Sequence, residues 1–76
     1  MKNILTGNEA IEAYELLQGS YSLKNMPKVC GYFTSDDCES TSNYDKGTIV
    51  AFDSTDGDKY ELYFSNSTDA IDWINK

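Results

Sequence analysis

The stretch Gly47–Asn66, GTIVAFDSTDGDKYELYFSN, decides the fold. Two apolar runs stand on either side of Asp56 and Gly57, and both alternate as half-buried strands do. Asp-Gly between such runs is the strongest short-range hairpin signal, because a type I′ turn needs positive φ at both central positions. With Asp56 and Gly57 as a two-residue loop, the register follows directly. Ala51 then faces Leu62 and Ile49 faces Phe64 on one side. Val50 faces Tyr63 and Phe52 faces Glu61 on the other. The first set makes the better core face, and the second presents an aromatic surface edged with acid.

Downstream, residues 67–75 read as a short helix capped by Ser67 or Asn66, with Asp69 suited to the dipole of its first turn. Ala70, Ile71 and Ile74 share one side and Trp73 flanks it. A helix this short has to pack on the sheet to persist. Upstream, residues 6–18 read as a helix whose Thr6 and Glu9 have capping-box spacing, with Asn8 as the rival cap. Ala10, Ile11, Tyr14 and Leu17 form its core stripe, and Gly19 is the expected terminator. Residues 20–27 read as a connector, since Pro27 cannot continue a helix and biases Met26 to an extended form. Residues 28–34, KVCGYFT, read as a strand in which Gly31 marks a weak point or a bulge. The expectation is one α+β domain spanning residues 1–76. It has a small antiparallel sheet of about three strands in α-β-β-β-α order, with both helices on one face.

Between the second element and the hairpin lies Phe33–Gly47, FTSDDCESTSNYDKG. It shows no apolar periodicity and is rich in Asp, Ser, Thr and Asn, which is loop chemistry, with room for a short edge strand near Cys38. A loop of this length in a compact domain is either disordered or functional. Its acids Asp36, Asp37, Glu39 and Asp45 join Asp53, Asp56, Asp58 and Glu61 of the hairpin, opposed in that region only by Lys46 and Lys59. If loop and turn lie together, they make an acidic patch.

The whole chain carries a formal charge of −7 from thirteen acids and six lysines, with no Arg and no His. The lack of Arg removes bidentate phosphate clamps and most readers of guanine, and the lack of His removes the usual general base and the commonest metal ligand. Such a surface repels nucleic acid and anionic membrane and attracts basic surfaces. The competing reading is acidity for solubility alone. Residues 1–10, MKNILTGNEA, hold neither an apolar h-region nor a small-residue cleavage site, so the expected compartment is a cytoplasm with reduced cysteines. Cys30 and Cys38 are expected as partly buried thiols, with a disulfide as the alternative in an oxidising setting.

Catalytic and metal constellations fail on residue type. Placing Gly57 at the sixth position of a calcium loop puts Phe52 first and Tyr63 twelfth, where oxygen ligands are required. The cysteines and serines have no His partner, the scattered glycines build no phosphate loop, and facing carboxylates across a cleft are not expected in so small a chain. A non-enzymatic protein without cofactor or metal is expected. Its partner-facing residues are Asp36, Asp37, Glu39, Asp45, Asp53, Asp56, Asp58 and Glu61, with Tyr44 and Tyr63 among the aromatic anchors.

In size, in lacking Arg and His, in its acidic hairpin GTIVAFDSTDGDKYELYF and in its closing helix STDAIDWINK, the chain resembles small acidic phage-encoded inhibitors of bacterial defence, notably the anti-CRISPR proteins. The resemblance covers the chain in architecture. It implies a compact α+β domain that mimics DNA, with carboxylates occupying a basic channel. The implied partner is a basic nucleic-acid-binding protein or complex, such as a CRISPR effector, met without direct contact to nucleic acid or membrane. Two alternatives share the composition: an immunity protein or antitoxin that neutralises a basic nuclease toxin, and an accessory binding module without mimicry.

Overall fold

The computed structural model describes residues 2–19 and 26–76. Its elements are β1 (Ile4–Thr6), α1 (Gly7–Gln18), β2 (Cys30–Thr34), two short 3-10 turns (Ser35–Asp37 and Glu39–Thr41), β3 (Ile49–Asp53), β4 (Tyr60–Phe64) and α2 (Ser67–Ile74). The strands form one four-stranded sheet in the order β1-β2-β3-β4. β1 runs parallel to β2, and the other pairs are antiparallel. The α+β class is as expected, but the sheet is mixed and gains a strand ahead of α1. β1 is three residues long, too short to show a period, and its last residue, Thr6, has the capping-box spacing to Glu9 that suggests a helix cap instead. The expected connector over 20–27 lies outside the described residues except at Met26 and Pro27.

The β3–β4 register matches the sequence pattern: Ile49 with Phe64, Val50 with Tyr63, Ala51 with Leu62 and Phe52 with Glu61. The turn does not. Pairing stops at Asp53 and Tyr60. Gly57 has φ +98°, but no residue other than glycine has positive φ among the described residues, so Asp56 does not take the type I′ conformation. Ser54 is the reason. Its N–H donates to the Val29 carbonyl at 2.8 Å, its hydroxyl donates to the Pro27 carbonyl at 2.6 Å, and the Val29 N–H donates to its Oγ at 3.0 Å. These bonds tie Ser54 to the segment before β2. The chain then closes with the Gly57 N–H on the Ser54 carbonyl at 3.1 Å.

The helices lie on opposite faces of the sheet, contrary to the expected single layer. α1 presents Ala10, Ala13, Tyr14 and Leu17 to Phe33, Val50 and Phe52. α2 presents Ala70 and Ile74 to Cys30 and Ala51, with Ile4, Ile49, Phe64 and Trp73 around them. Both faces of β3 are therefore core. The uninterrupted apolar run Ile49–Phe52 carried that information, since a strand buried on both sides loses strict alternation.

Gly31 marks no bulge. The register runs without a skip from Cys30 to Tyr32 against β1 and from Cys30 to Thr34 against β3. Its role is close approach: a Cβ there would stand 2.5 Å from the Leu5 carbonyl oxygen. At the helix ends, Thr6 makes no side-chain cap, because it is held in β1 opposite Tyr32 and the chain turns into α1 at Gly7 with φ +60°. Gly19 stays right-handed at φ −84°. α2 is capped as anticipated, with the Asp69 N–H donating to Asn66 Oδ1 at 2.9 Å.

Replacing Gly31 by Ala should push β1 off β2. The expected loss is about 1–3 kcal/mol, the usual range for overpacking against a fixed neighbour. Urea unfolding monitored by circular dichroism checks it, and an unchanged midpoint would mean β1 yields freely.

Candidate partner interface

The acidic stretch between β2 and β3 is ordered, with no edge strand near Cys38. Ser35, Cys38 and Thr41 point inward and are buried, while Asp36, Asp37, Glu39 and Asp45 are exposed. The inward residues recur every third position, the period of a 3-10 helix, and the two short turns use it. Thr41 Oγ1 donates to the carbonyls of Ser35 and Cys38, both at 3.1 Å. The Ser35 N–H donates to the Thr48 carbonyl at 2.8 Å and its hydroxyl to the Asp45 carbonyl at 3.3 Å. Asp36 has a second task, since its Oδ2 accepts the Gly47 N–H at 3.3 Å. The three-residue repeat of small polar side chains was the sequence signal for this order.

Tyr44 carries the loop across to β4. Its ring lies 4.6 Å from that of Tyr63, and its hydroxyl donates to the Tyr63 hydroxyl at 2.8 Å. Tyr63 in turn donates to Glu61. Gln18 of α1 donates to Glu61 at 3.1 Å, and the Tyr14 phenol feels the charge of the same carboxylate. Glu61 is thus the acceptor at the centre of a cluster joining α1, β4 and the loop. Burial, then the charge and hydrogen bond of Glu61, push the Tyr14 phenol up to about 12. Tyr63 is pushed up further, by burial first and by its bonds to Glu61 and Tyr44 next. Tyr14 and Gln18 were not anticipated here, because sequence spacing alone does not bring α1 to β4.

The acids do not form one patch. The loop leaves β2 at Thr34 and re-enters at Ile49, whereas Asp56 and Asp58 follow the far end of β3. The five residues of β3, at roughly 3.4 Å each, put about 17 Å of strand between the two groups. Glu61 and Tyr63 lie between them along β4.

Asp53 differs from the rest. It is buried, and its Oδ2 accepts the Lys2 ammonium at 2.7 Å. Its Oδ1 accepts the Thr55 N–H at 2.9 Å and the Thr55 hydroxyl at 2.6 Å. Burial alone would raise its pKa, but Lys2 and Thr55 outweigh burial and hold it below its ordinary 3.8. Asp53 therefore pins Lys2 to the end of β3. It is not the exposed, partner-facing acid that the sequence suggested.

Cys30 and Cys38 are unpaired and buried. Cys30 belongs to the core under α2 and Cys38 to the core under α1, so the sheet separates them. Burial pushes the Cys30 thiol up. Among the described residues no group of three or more His, Cys, Asp or Glu converges as metal ligands would, and no helix is long and apolar enough to cross a membrane. The chain matches no known family model, no curated protein and no solved structure.

Asp53→Asn should lower stability by about 1–2 kcal/mol at neutral pH, the scale of hydrogen bonds to a charged group that is partly screened. The folded pKa of Asp53 is depressed, so its contribution is present above the unfolded value. It is lost as pH falls through the folded value. Urea midpoints of wild type and variant should therefore converge in acid. A gap that persists there would assign the effect to packing. In alkali the tyrosine cluster acts in the opposite sense: stability should fall as pH rises from about 10 toward 12. Phenolate absorbance should show an ionisation near pH 12 that Tyr14→Phe removes.

Proposed function

We propose that the protein is an inhibitor that presents exposed carboxylates to the basic nucleic-acid groove of another macromolecule, in the manner of anti-CRISPR proteins that mimic DNA. One observation carries this reading. Among the described residues the only ion pair is Lys2–Asp53, so the outward acids of the loop are not neutralised within the protein. The loop that bears them is braced from inside by Ser35 and Thr41.

Several features favour a groove as the target. The five-residue β3 sets the loop and the 54–59 turn about 17 Å apart, a span that covers about five phosphates of one DNA strand at about 3.4 Å of axis each. Tyr44 and Tyr63 supply an exposed aromatic anchor between the two groups. A charged face with no cationic partner among the described residues steers association with a cationic surface and loses strength as salt rises. The carboxylates replace phosphate and the braced loop limits the ordering cost of binding. The reading assigns no catalytic step, cofactor or metal, and it places the protein in the compartment of its target, the host cytoplasm.

The test uses tagged protein and bacterial lysate at low and high salt, with captured proteins identified by mass spectrometry. The expected result is a nucleic-acid-binding complex held at low salt, released by salt and displaced by duplex DNA. The triple variant Asp37→Lys, Glu39→Lys, Asp45→Lys should melt as wild type does and lose capture by about tenfold or more, as close charge pairs across an interface are removed and reversed. Asp36 is spared because it closes the loop on Gly47. Capture that ignores both DNA and the triple variant would sink the mimicry reading.

A further inference from the structure

β4 is an edge strand. Among the described residues it pairs with β3 alone, so half of its backbone N–H and C=O groups face away from the sheet with no strand to meet them. α2 covers β2 and β3 and meets β4 at Phe64, whose ring lies 6.0 Å from that of Trp73. Beyond Phe64 the same face is open, with Tyr60 47% and Leu62 44% exposed. An open groove there is lined by Leu62, Phe64 and Trp73 and rimmed by Asp69, Asp72 and Lys76. Edge strands are usually guarded by Lys, Pro or a bulge. The β4 sequence YELYF contains none of these, and its pairing to β3 is regular.

We propose that β4 accepts, by strand addition, an extended partner segment in which apolar residues alternate with Lys or Arg. The alternation follows from the two faces of β4. On the α2 face, an added strand sets its side chains beside Tyr60, Leu62 and Phe64, an apolar row. On the other face it sets them beside Glu61 and Tyr63. A segment apolar on one side and cationic on the other satisfies both rows. A second copy of this chain is a poor occupant, since it brings another charge of −7 and a further Glu61 to the same edge. The inference goes beyond the mimicry reading. It rests on the open backbone edge and α2 face of β4, shares only Tyr63 with that reading, and does not require the partner to bind nucleic acid.

The probe is a short fluorescent peptide of alternating Val and Lys, titrated against the full chain by anisotropy. Its control has the same composition arranged in two blocks. The alternating peptide should bind about tenfold more tightly, the sum of a few cross-strand pairs. N-methylation of the backbone amides that would bond to β4 should abolish binding. Leu62→Asp is the decisive variant: it adds an attractive charge but removes the apolar row. Binding should fall about tenfold, and Leu62→Thr, which keeps strand propensity, should also weaken it. Thermal melts establish that both variants fold. Equal binding of the block peptide, or tighter binding to Leu62→Asp, would reduce the effect to bulk charge and overturn the proposal. Sedimentation of the wild type as a dimer that Leu62→Asp dissociates would overturn it in favour of a second copy. Failure of the alternating peptide to bind the wild type, with the loop variant's capture defect intact, defeats this proposal alone. The reverse pattern defeats mimicry alone.

Discussion

Cys30–Thr34 and Ile49–Asp53 form the antiparallel pair to which every other element is attached. Val50, Ala51 and Phe52 are consecutive and almost wholly buried, which requires a layer on each face of the sheet. Under α1, the rings of Phe33, Phe52 and Tyr14 meet at centroid distances of 5.0, 6.0 and 6.5 Å. Under α2, the smaller Ala51 and Cys30 leave room for Ile74. Burying a side chain such as Phe52 contributes about 1.5–3 kcal/mol, a large share of the margin available to a chain of this size. The close packing of β1 on Gly31 extends the same sheet and brings Lys2 to Asp53.

The loop depends on that pair as well. It leaves the sheet at Thr34 and returns at Ile49, residues that face each other in the register. Its ends are therefore held together before any loop contact forms, which lowers the entropy of closing it. Inside it, hydroxyls of Ser35 and Thr41 add a second donor to the carbonyls of Asp45, Ser35 and Cys38, each of which also accepts a backbone N–H. The acids are left to face solvent. Unneutralised charge of one sign opposes compaction and gains value only when a cationic surface arrives.

Two surfaces of different character result. One is the loop, with Tyr44 and Tyr63 leading along β4. The other is the apolar row of Tyr60, Leu62 and Phe64 beside α2. They occupy opposite faces of one strand, because alternate residues of β4 point to opposite sides. Glu61, counted among the acids by composition, is the acceptor for Gln18 and Tyr63. Asp53 is bound to Lys2 and Thr55. Charge counted along the chain overstates what is on offer to a partner, since some carboxylates are used inside.

Local pattern determined much of this protein. The two helices, the Asn66 cap, the three longer strands and the β3–β4 register follow from periodicity and turn residues, which act between neighbours along the chain. The absence of Arg and His, and the acidity of the middle third, are likewise properties of the sequence alone. Tertiary structure decided what depends on distant residues meeting. β1 exists because three residues pair with Cys30–Tyr32. The helices take opposite faces because β3 is apolar on both. The hairpin turn departs from type I′ because Ser54 bonds to Pro27 and Val29 instead of continuing toward β4. The acidic groups sit at opposite ends of the sheet because loop and turn follow opposite ends of β3. Short-range pattern specifies an element and its faces, but the partner for each face is chosen by long-range packing, which no local window contains.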